Sequence, residues 1–433
     1  MEWYFMALIL FGALIILLVI GMPIGFALGF IGVIGLITLI GPKSLTLVGT
    51  YAWEKSTAWS LVCLPLFIFM AELMVYTGIG SDAFKSAHLW LGGLPGGVGV
   101  ATVAACAGFA AACGSSTATA TAIGVMSIPE MLKLGYRKSL AVGTTAAGGI
   151  LGILIPPSIV MVIYGSLTEQ SIGHLFIAGV IPGIILATIF AAYVIILALM
   201  RPEVAPRPVA VTWREKFASL KGVIGLLVIM GFVFGTLYTG ICTPTEVAGA
   251  GAFMALIVAA VYRKLNWENL KGAFLHTVRI NAFIFFILFG AVIFTGLICY
   301  LGVSEEMVLW MTGLGLPPVG ILIIIYVIYL LLGMFLDPMG MMLLTLPFIF
   351  PVVMELGYDP IWFGVVVTVL CEMGYITPPF GFNLYIIKGI SPPGVGLGDI
   401  IRGCFPFVIL MLVAIAIYTI FPQVVLYLPG TMG

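Results

Sequence analysis

Apolar segments of about twenty residues recur along the whole chain, and this pattern constrains the fold more than any other feature. An α-helix needs about 20 mostly apolar residues to cross a bilayer. Of the 433 residues, 62% are hydrophobic and 8% are charged, which leaves too little polar surface for a soluble fold of this length. The sequence therefore predicts an all-α polytopic membrane protein. Eight spans of the required length lie at 3–21, 24–41, 57–77, 173–200, 221–241, 245–262, 276–300 and 403–428.

The same composition excludes several other classes. Seventeen basic residues balance seventeen acidic ones, so no basic surface for nucleic acid is expected. The apolar runs are continuous, whereas the strands of a membrane β-barrel alternate. No catalytic cluster and no nucleotide-binding motif accompany the isolated cysteines, so we expect neither an enzyme nor an organic cofactor. Residues 1–20 lack a basic start and an A-x-A cleavage site, which favours a first span over a removed signal.

The two halves of the chain repeat each other at a constant offset of 222 residues. Leu134-Gly135-Tyr136 matches Leu356-Gly357-Tyr358, and Pro156-Pro157 matches Pro378-Pro379, in one series without a gap. Such a series indicates an internal duplication. The predicted division is a first repeat at 1–200, a cytoplasmic linker at 201–221 and a second repeat at 222–433.

Charged loops indicate that the two repeats have opposite orientations in the membrane. The first LGY turn is flanked by Lys133, Arg137 and Lys138, whereas Glu355 and Asp359 flank the second. Because Lys and Arg mark the cytoplasmic side, equivalent loops should face opposite compartments. The pattern fits ten crossings and two re-entrant hairpins. Two lysines in the loop after the second span fall on the outer side and are exceptions.

Four interrupted apolar regions distinguish this chain from a simple helical bundle. Two are predicted as re-entrant hairpins, at 95–129 and 317–352, and two as helices broken by a proline pair, at 139–167 and 360–388. Irregular backbone at membrane depth is tolerated only where protein or a water-filled cavity surrounds it. In matching positions of inverted repeats, these features are typical of a secondary transporter with its site at the repeat interface.

The hairpin tips contain the first candidate site residues. The first tip reads GSSTATAT and includes Ser115, Ser116 and Thr117, whose hydroxyl groups can face a ligand. Small residues for tight helix packing are the alternative interpretation. The second tip carries Asp337, an ionisable residue in an apolar region, which indicates a functional site. Binding a cation, relaying a proton and capping the following helix all stay open for this carboxyl group.

The broken helices contain the second set of candidates. A proline pair removes amide donors and frees the preceding carbonyl groups, whose partial negative charge suits Na⁺. The next half-helix begins near Ser158 or Asn383 and presents donors that suit a carboxylate. A simple kink is the alternative. Na⁺ is favoured over H⁺ because a proton relay needs titrating groups in series, and only Glu72, Asp337 and Glu372 lie well inside the apolar regions. Glu372 is expected to support the second site.

Five ordered motifs give the chain a specific resemblance to a known family. With them, the sequence resembles the large membrane subunit of tripartite ATP-independent periplasmic (TRAP) transporters over essentially its whole length. Divalent-anion/Na⁺ symporters have a similar hairpin plan but carry a Ser-Asn-Thr signature at the tips, which this sequence does not have. The motifs are GSSTATATAIG (114–124), LGILIPPSI (151–159), TPTEVAGAGA (243–252), LDPMGMMLLTLPFIFP (336–351) and TPPFGFNLYIIKGI (377–390).

The resemblance implies an elevator mechanism in the bacterial inner membrane, in which hairpins and broken helices slide against a scaffold. It implies Na⁺ as the coupling ion and an organic anion, such as a C4-dicarboxylate or sialic acid, as the substrate. It also implies two protein partners, a small four-helix membrane subunit and a periplasmic substrate-binding protein. The alternative function is a stand-alone divalent-anion/Na⁺ symporter without a binding protein. A channel or a membrane enzyme is a third possibility from another class.

The resemblance also implies which residues form the sites. Phe380 is bulkier than the small residue expected in this family, and Ala71 stands where glycine is usual, so pocket size and substrate identity stay open. The implied ligands are Ser115, Ser116, Gly152, Ile155 and Pro156 for one Na⁺ site, Asp337, Met339, Gly374, Thr377 and Pro378 for its mirror, and Thr117, Ser158 and Asn383 for the substrate between the tips.

Overall fold

The structure is a computed structural model that describes residues 3–205 and 212–432. These residues form twenty α-helices joined by short connections, and no β-strand occurs among them. The helices are α1 (Trp3–Val19), α2 (Ile24–Gly35), α3 (Leu45–Ser56), α4 (Cys63–Tyr76), α5 (Ile79–Leu91), α6 (Gly97–Cys113), α7 (Ser116–Lys133), α8 (Lys138–Leu154), α9 (Ile159–Thr168), α10 (Ile172–Met200), α11 (Trp213–Tyr238), α12 (Pro244–Val261), α13 (Trp267–Tyr300), α14 (Val303–Thr312), α15 (Pro318–Gly333), α16 (Pro338–Glu355), α17 (Pro360–Tyr375), α18 (Phe382–Ile390), α19 (Leu397–Ile420) and α20 (Gln423–Leu426).

The predicted all-α class is confirmed. Eight helical stretches in the described residues are long and apolar enough to cross a membrane, and seven of them coincide with expected crossings. The eighth, Pro338–Glu355, is the second arm of the second hairpin. The three remaining expected crossings contain the shorter apolar helices Tyr4–Val19, Ile24–Ile40 and Pro360–Tyr375.

The hairpins and broken helices lie where the sequence predicts them. Helices α6 and α7 form the first hairpin, and α15 and α16 form the second. The first broken helix consists of α8 and α9, and the second of α17 and α18. Both ends of α16 lie 222 residues after the corresponding ends of α7, and α17 begins 222 residues after α8. The spacing of the sequence motifs therefore recurs in the helix boundaries.

Several boundaries differ from the sequence-based expectation. Helix α11 begins at Trp213, inside the predicted 201–221 linker, because Thr212 and Glu215 form a capping box at its start; residues 206–211 of this linker lie outside the described part. Three short helices, α3, α5 and α14, were not expected, since their charged residues break the apolar pattern of a span. Helix α13 begins at Trp267, ahead of the predicted 276, and α19 ends at Ile420, where 428 was expected.

The helices pack as two groups. In the first bundle, α2 packs against α13, α4 packs against α12 and α13, and α11 packs against α12. In the second bundle, α8 is central and contacts α6, α7, α10, α17, α18 and α19. The whole of α8 after Ser139 is buried, so the second bundle has an apolar core built from small residues and proline breaks. Both hairpins and both broken helices belong to this second bundle.

Candidate functional site

The first hairpin tip meets the proline break of the first broken helix. Gly114 ends α6 with a left-handed φ of 65°, a conformation that glycine adopts without steric cost. A Cβ atom at this position would overlap the carbonyl oxygen of Pro157. Ser115 follows in an extended conformation and caps α7, accepting a hydrogen bond from the Ala118 amide at 3.4 Å. The tip backbone is therefore in direct contact with the unwound segment.

The structure brings two predicted Na⁺ ligands of the first site together. A Cβ atom on Gly152 would lie 2.5 Å from the Ser115 carbonyl oxygen and 2.7 Å from Thr119 Oγ1, so glycine is needed for this close approach. Helix α8 ends at Leu154, and Ile155 is extended, with φ −84° and ψ 118°. The Pro156-Pro157 peptide bond that follows is cis.

Ser116 makes a contact that the sequence did not predict. Its Oγ donates a hydrogen bond to Oε2 of Glu372 at 2.5 Å, and both side chains are buried. Glu372 was expected to support the second site, but its hydrogen bond reaches the first hairpin. The two residues come from different repeats and are 256 positions apart. A local sequence pattern carries no signal for such a contact.

The three predicted substrate residues each form a hydrogen bond with a different partner. Ser158 is buried and caps α9, accepting from the Met161 amide at 3.2 Å. Asn383 is buried and donates from Nδ2 to the Ala146 carbonyl at 3.1 Å. Thr117 Oγ1 lies 3.0 Å from Ser115 Oγ. Within the described residues, no hydrogen bond links these three side chains to one another, so a shared ligand would have to bridge them.

At the second tip, Asp337 has the capping role that the sequence left open. Its Oδ2 accepts from the amides of Met339 at 3.1 Å and Gly340 at 3.2 Å at the start of α16. The side chain is only partly exposed. In the described part of the chain, the ion pairs are Lys264–Asp82 and His276–Glu72, so Asp337 has no basic partner there. The amides at the start of α16 stabilise the carboxylate in part, but no basic side chain of the described residues balances its charge.

The second hairpin also packs against its broken helix, through two glycines. A Cβ atom on Gly333 would lie 2.9 Å from the Cα atom of Gly374, so the two backbones are in contact. Thr377 Oγ1 donates to the Met373 carbonyl at 2.6 Å, and the Pro378-Pro379 bond after it is cis. The second site therefore has the same components as the first site: a hairpin packed against a broken helix.

Phe380, whose bulk left the pocket size open in the sequence analysis, has an exposed side chain. Its side chain is 56% exposed, and its ring centroid lies 5.6 Å from that of Phe335, which is 61% exposed. The two rings come from the second broken helix and the second hairpin. They form an exposed aromatic pair beside the second tip, so the bulk of Phe380 lies outside the buried part of the site.

Oxygen atoms without hydrogen-bond partners are concentrated in the second bundle. Among the described residues, four buried side-chain oxygens of this kind belong to α7, α8, α17 and α18: Thr119 Oγ1, Thr144 Oγ1, Glu372 Oε1 and Asn383 Oδ1. Carbonyl, carboxylate and hydroxyl oxygens are the ligands that hard cations prefer. The donor set of this region therefore fits Na⁺ better than a soft transition metal.

An ion pair links α4 and α13. Glu72 of α4 is buried, and its Oε2 lies 2.7 Å from Nδ1 of His276 on α13. The sequence analysis predicted that Glu72 lies inside an apolar region but did not predict that His276 is its partner.

A cavity of about 390 Å³ lies between the two bundles. Residues of α3 and α13, including Tyr51 and Thr295, line one side, and residues of α9 and α16, including Leu343, line the other.

Comparison with known families gives a match over nearly the whole chain. Residues 11–424 match the family described as "Tripartite ATP-independent periplasmic transporter, DctM component". The C4-dicarboxylate TRAP transporter large permease protein of Pseudomonas aeruginosa is 35% identical, and the alignment covers 92% of each chain. The isethionate TRAP transporter permease protein DctMQ of Oleidesulfovibrio alaskensis is 31% identical over 98% of this chain, which spans 66% of that longer relative.

A solved structure has a similar fold. The crystal structure of the YdaH transporter from Alcanivorax borkumensis, which has an unusual topology, superposes with a TM-score of 0.63 and covers 89% of this chain and 91% of its own. The sequence identity is 17%, so the likeness concerns the fold alone.

Proposed function

We propose that this chain, which belongs to the DctM family of tripartite ATP-independent periplasmic transporters, uses a Na⁺ gradient to import an organic anion. As the large permease subunit of such a transporter, it is a multi-pass protein of the bacterial inner membrane. The observation that carries the proposal is the pairing of each hairpin with a broken helix, Ser115 against Gly152 and Gly333 against Gly374. At each pairing a hairpin meets a helix that stops at a proline pair, inside an apolar bundle, and the first pairing also contains the unpaired Thr119 Oγ1.

Two Na⁺ sites are proposed at these pairings. In the first, the backbone and hydroxyl oxygens of Ser115 and Ser116 would bind the ion together with carbonyl groups of Gly152, Ile155 and Pro156. In the second, Asp337 would act with Met339, Gly374, Thr377 and Pro378. The supporting observations are that α8 and α17 both end just before a proline pair, whose nitrogens donate no hydrogen bond to the preceding carbonyl groups, and that the Asp337 carboxylate has no basic partner in the described residues.

The proposed substrate is an organic anion with one or two carboxylates, of the C4-dicarboxylate or sialic acid type. The C4-dicarboxylate permease of Pseudomonas aeruginosa supports this choice. No lysine or arginine is expected at the tips, so the anion would be held by the N-termini of α9 and α18, by the Thr117, Ser158 and Asn383 side chains, and by the positive charge of Na⁺. Binding of Na⁺ and anion would then depend on each other.

The proposed transport step is an elevator movement of the second bundle against the first. Each hairpin packs on a broken helix within the second bundle, so hairpins and breaks can move as one unit. The cavity between α3 and α13 on one side and α9 and α16 on the other supports a boundary between moving and fixed parts. A rigid unit that carries its site across the membrane needs no large change within the site itself.

Two protein partners complete the proposal. Membership of the family implies a small membrane subunit and a periplasmic substrate-binding protein; we propose that the small subunit has four helices and extends the first bundle. The extra length of the DctMQ relative supports a second component that some relatives carry in the same chain. The binding protein would deliver the anion to the periplasmic face.

Uptake into proteoliposomes tests the proposal. The chain is reconstituted with its small subunit, and entry of radiolabelled succinate or sialic acid is measured with and without the binding protein, under an inward gradient of Na⁺ or choline. We expect uptake only with both Na⁺ and the binding protein. In a further set of liposomes that contain this chain without either partner, uptake would instead favour a stand-alone symporter; uptake that ignores Na⁺ would contradict the coupling.

A further inference from the structure

Glu372 is an acidic side chain buried in the centre of the second bundle. It lies on α17 and is 1% exposed. One carboxylate oxygen, Oε2, accepts the hydrogen bond from Ser116, while the other, Oε1, is buried and has no partner. The two carboxylate oxygens therefore differ in their hydrogen bonding: a residue of the first hairpin holds Oε2, and Oε1 is free to bind a ligand.

The charge of this carboxylate has no protein counterpart. The ion pairs formed in the described residues involve Asp82 and Glu72, so no Lys, Arg or His compensates Glu372 there. A buried carboxylate is strongly destabilising unless it is paired, binds a cation or takes up a proton. One hydroxyl donor satisfies a hydrogen bond but does not neutralise the charge. The missing positive charge must therefore come from solution, as a metal cation or as a proton.

The neighbourhood also provides the right kind of ligand atoms. Thr119 lies one turn after Ser116 on α7, and its Oγ1 is buried without a hydrogen-bond partner, close to Gly152 and the Ser115 carbonyl. Tyr375, three residues after Glu372, lies within electrostatic reach of both the Asp337 and the Glu372 carboxyl groups. Glu372 therefore lies between the two proposed Na⁺ sites, in a setting of oxygen atoms.

We propose that Glu372 is a Na⁺-binding residue in addition to those of the two proposed sites, with Oε1 as the ligand atom. Ser116 fixes Oε2, so the carboxylate holds one orientation. Because Ser116 comes from the first repeat and Glu372 from the second, a cation bound here ties the first hairpin to the second broken helix. This proposal deepens the proposed function and depends on Na⁺ being the coupling ion.

Na⁺-dependent thermal stability of the purified full-length chain tests the proposal without any transport assay. NaCl is titrated against choline chloride at constant ionic strength, and the half-maximal Na⁺ concentration for the rise in melting temperature is measured. Glu372→Gln keeps the size and an acceptor for Ser116 but removes the charge. Glu306→Gln on the exposed start of α14 is the matched control.

We expect Glu372→Gln to raise the half-maximal Na⁺ concentration by about tenfold or more, and Glu306→Gln to leave it within about twofold. Glu372→Asp keeps the charge but shortens the side chain by one methylene, which withdraws the carboxylate from the bound ion, so it should raise the same value by a smaller factor. This second variant keeps the test valid if Glu372→Gln fails to fold.

The outcomes separate this proposal from the proposed function. An unchanged Na⁺ response in Glu372→Gln would overturn the role of Glu372 while leaving Na⁺ coupling intact. A wild-type chain with no Na⁺ response would overturn both. A response that is lost in Glu372→Gln, in a protein whose anion uptake ignores Na⁺, would support the binding site and contradict the coupling.

Discussion

At the scale of single residues, the structure shows two aspartates that both cap a helix but differ in how exposed they are. Asp337 and Asp359 each cap a helix that begins with proline, and each accepts two backbone amides. Asp359 is exposed in a loop, whereas Asp337 lies partly buried at a hairpin tip. Capping is therefore common to both, and any further role of Asp337 must come from its place in the bundle.

This pair allows capping to be separated from cation binding. Asn caps helices about as well as Asp, so Asp337→Asn and Asp359→Asn should both fold with little loss of stability. Because Asp337→Asn also removes the proposed Na⁺ ligand charge, we expect it to raise the half-saturating Na⁺ concentration for uptake about tenfold, equivalent to about 1.4 kcal/mol. Asp359→Asn should leave this value unchanged. Equal Na⁺ dependence in both variants would limit Asp337 to capping.

Residue roles were predictable where they follow from local chemistry, and not where they depend on distant partners. Capping by Asp337, one of the three roles that the sequence left open, follows from a short motif with proline after the aspartate. The Ser116–Glu372 hydrogen bond and the Glu72–His276 pair join helices far apart in the sequence. No periodicity encodes such contacts, so only the packed structure reveals them.

At the scale of helices, the contact between each hairpin and its broken helix depends on the absence of side chains. Gly333 at the end of α15 faces Gly374 near the end of α17, and their backbones touch. Gly320 lies in the first turn of the same α15, and a methyl group added there would meet its nearest neighbours at an ordinary contact distance of 3.6 Å. The two glycines thus share a helix but differ in the space around them.

Replacing each glycine by alanine tests this contact. Gly333→Ala forces backbone against backbone and should destabilise the protein by about 1–3 kcal/mol, the usual cost of overpacking, with a lower melting temperature and slower uptake. Gly320→Ala should be neutral or slightly stabilising, since alanine favours helix more than glycine does. Melting curves of the two variants provide the measurement. A Gly333→Ala protein as stable as Gly320→Ala would mean that the hairpin does not depend on this approach.

Helix boundaries were predictable to different degrees for physical reasons. The proline pairs and the positive-φ glycine at the first tip mark breaks that are visible in the sequence. The start of α11 was missed because a capping box at Thr212 begins the helix within polar residues. Helices α5 and α14 were missed because their charged residues resemble loops, although the two occupy equivalent places before the hairpins.

At the scale of the whole molecule, the central claim is that two copies of one unit face each other in opposite orientations across the membrane. Helix boundaries recur at the 222-residue spacing of the sequence motifs. Glu372 and Asn383 of the second copy form hydrogen bonds with residues of the first copy. The division into repeats at 1–200 and 222–433, and the opposite orientation of the two, stay predictions of the charge pattern. Sidedness is therefore the property to measure.

Lys133 and Glu355 are suited to that measurement, because they end α7 and α16, are both exposed and lie 222 residues apart. Each is replaced by cysteine in a background without the accessible Cys242 and Cys299, and intact cells are treated with a membrane-impermeant maleimide before and after permeabilisation. We expect Glu355→Cys to be labelled from outside and Lys133→Cys only after permeabilisation. Labelling of both from the same side would contradict the inverted arrangement and the transport mechanism built on it.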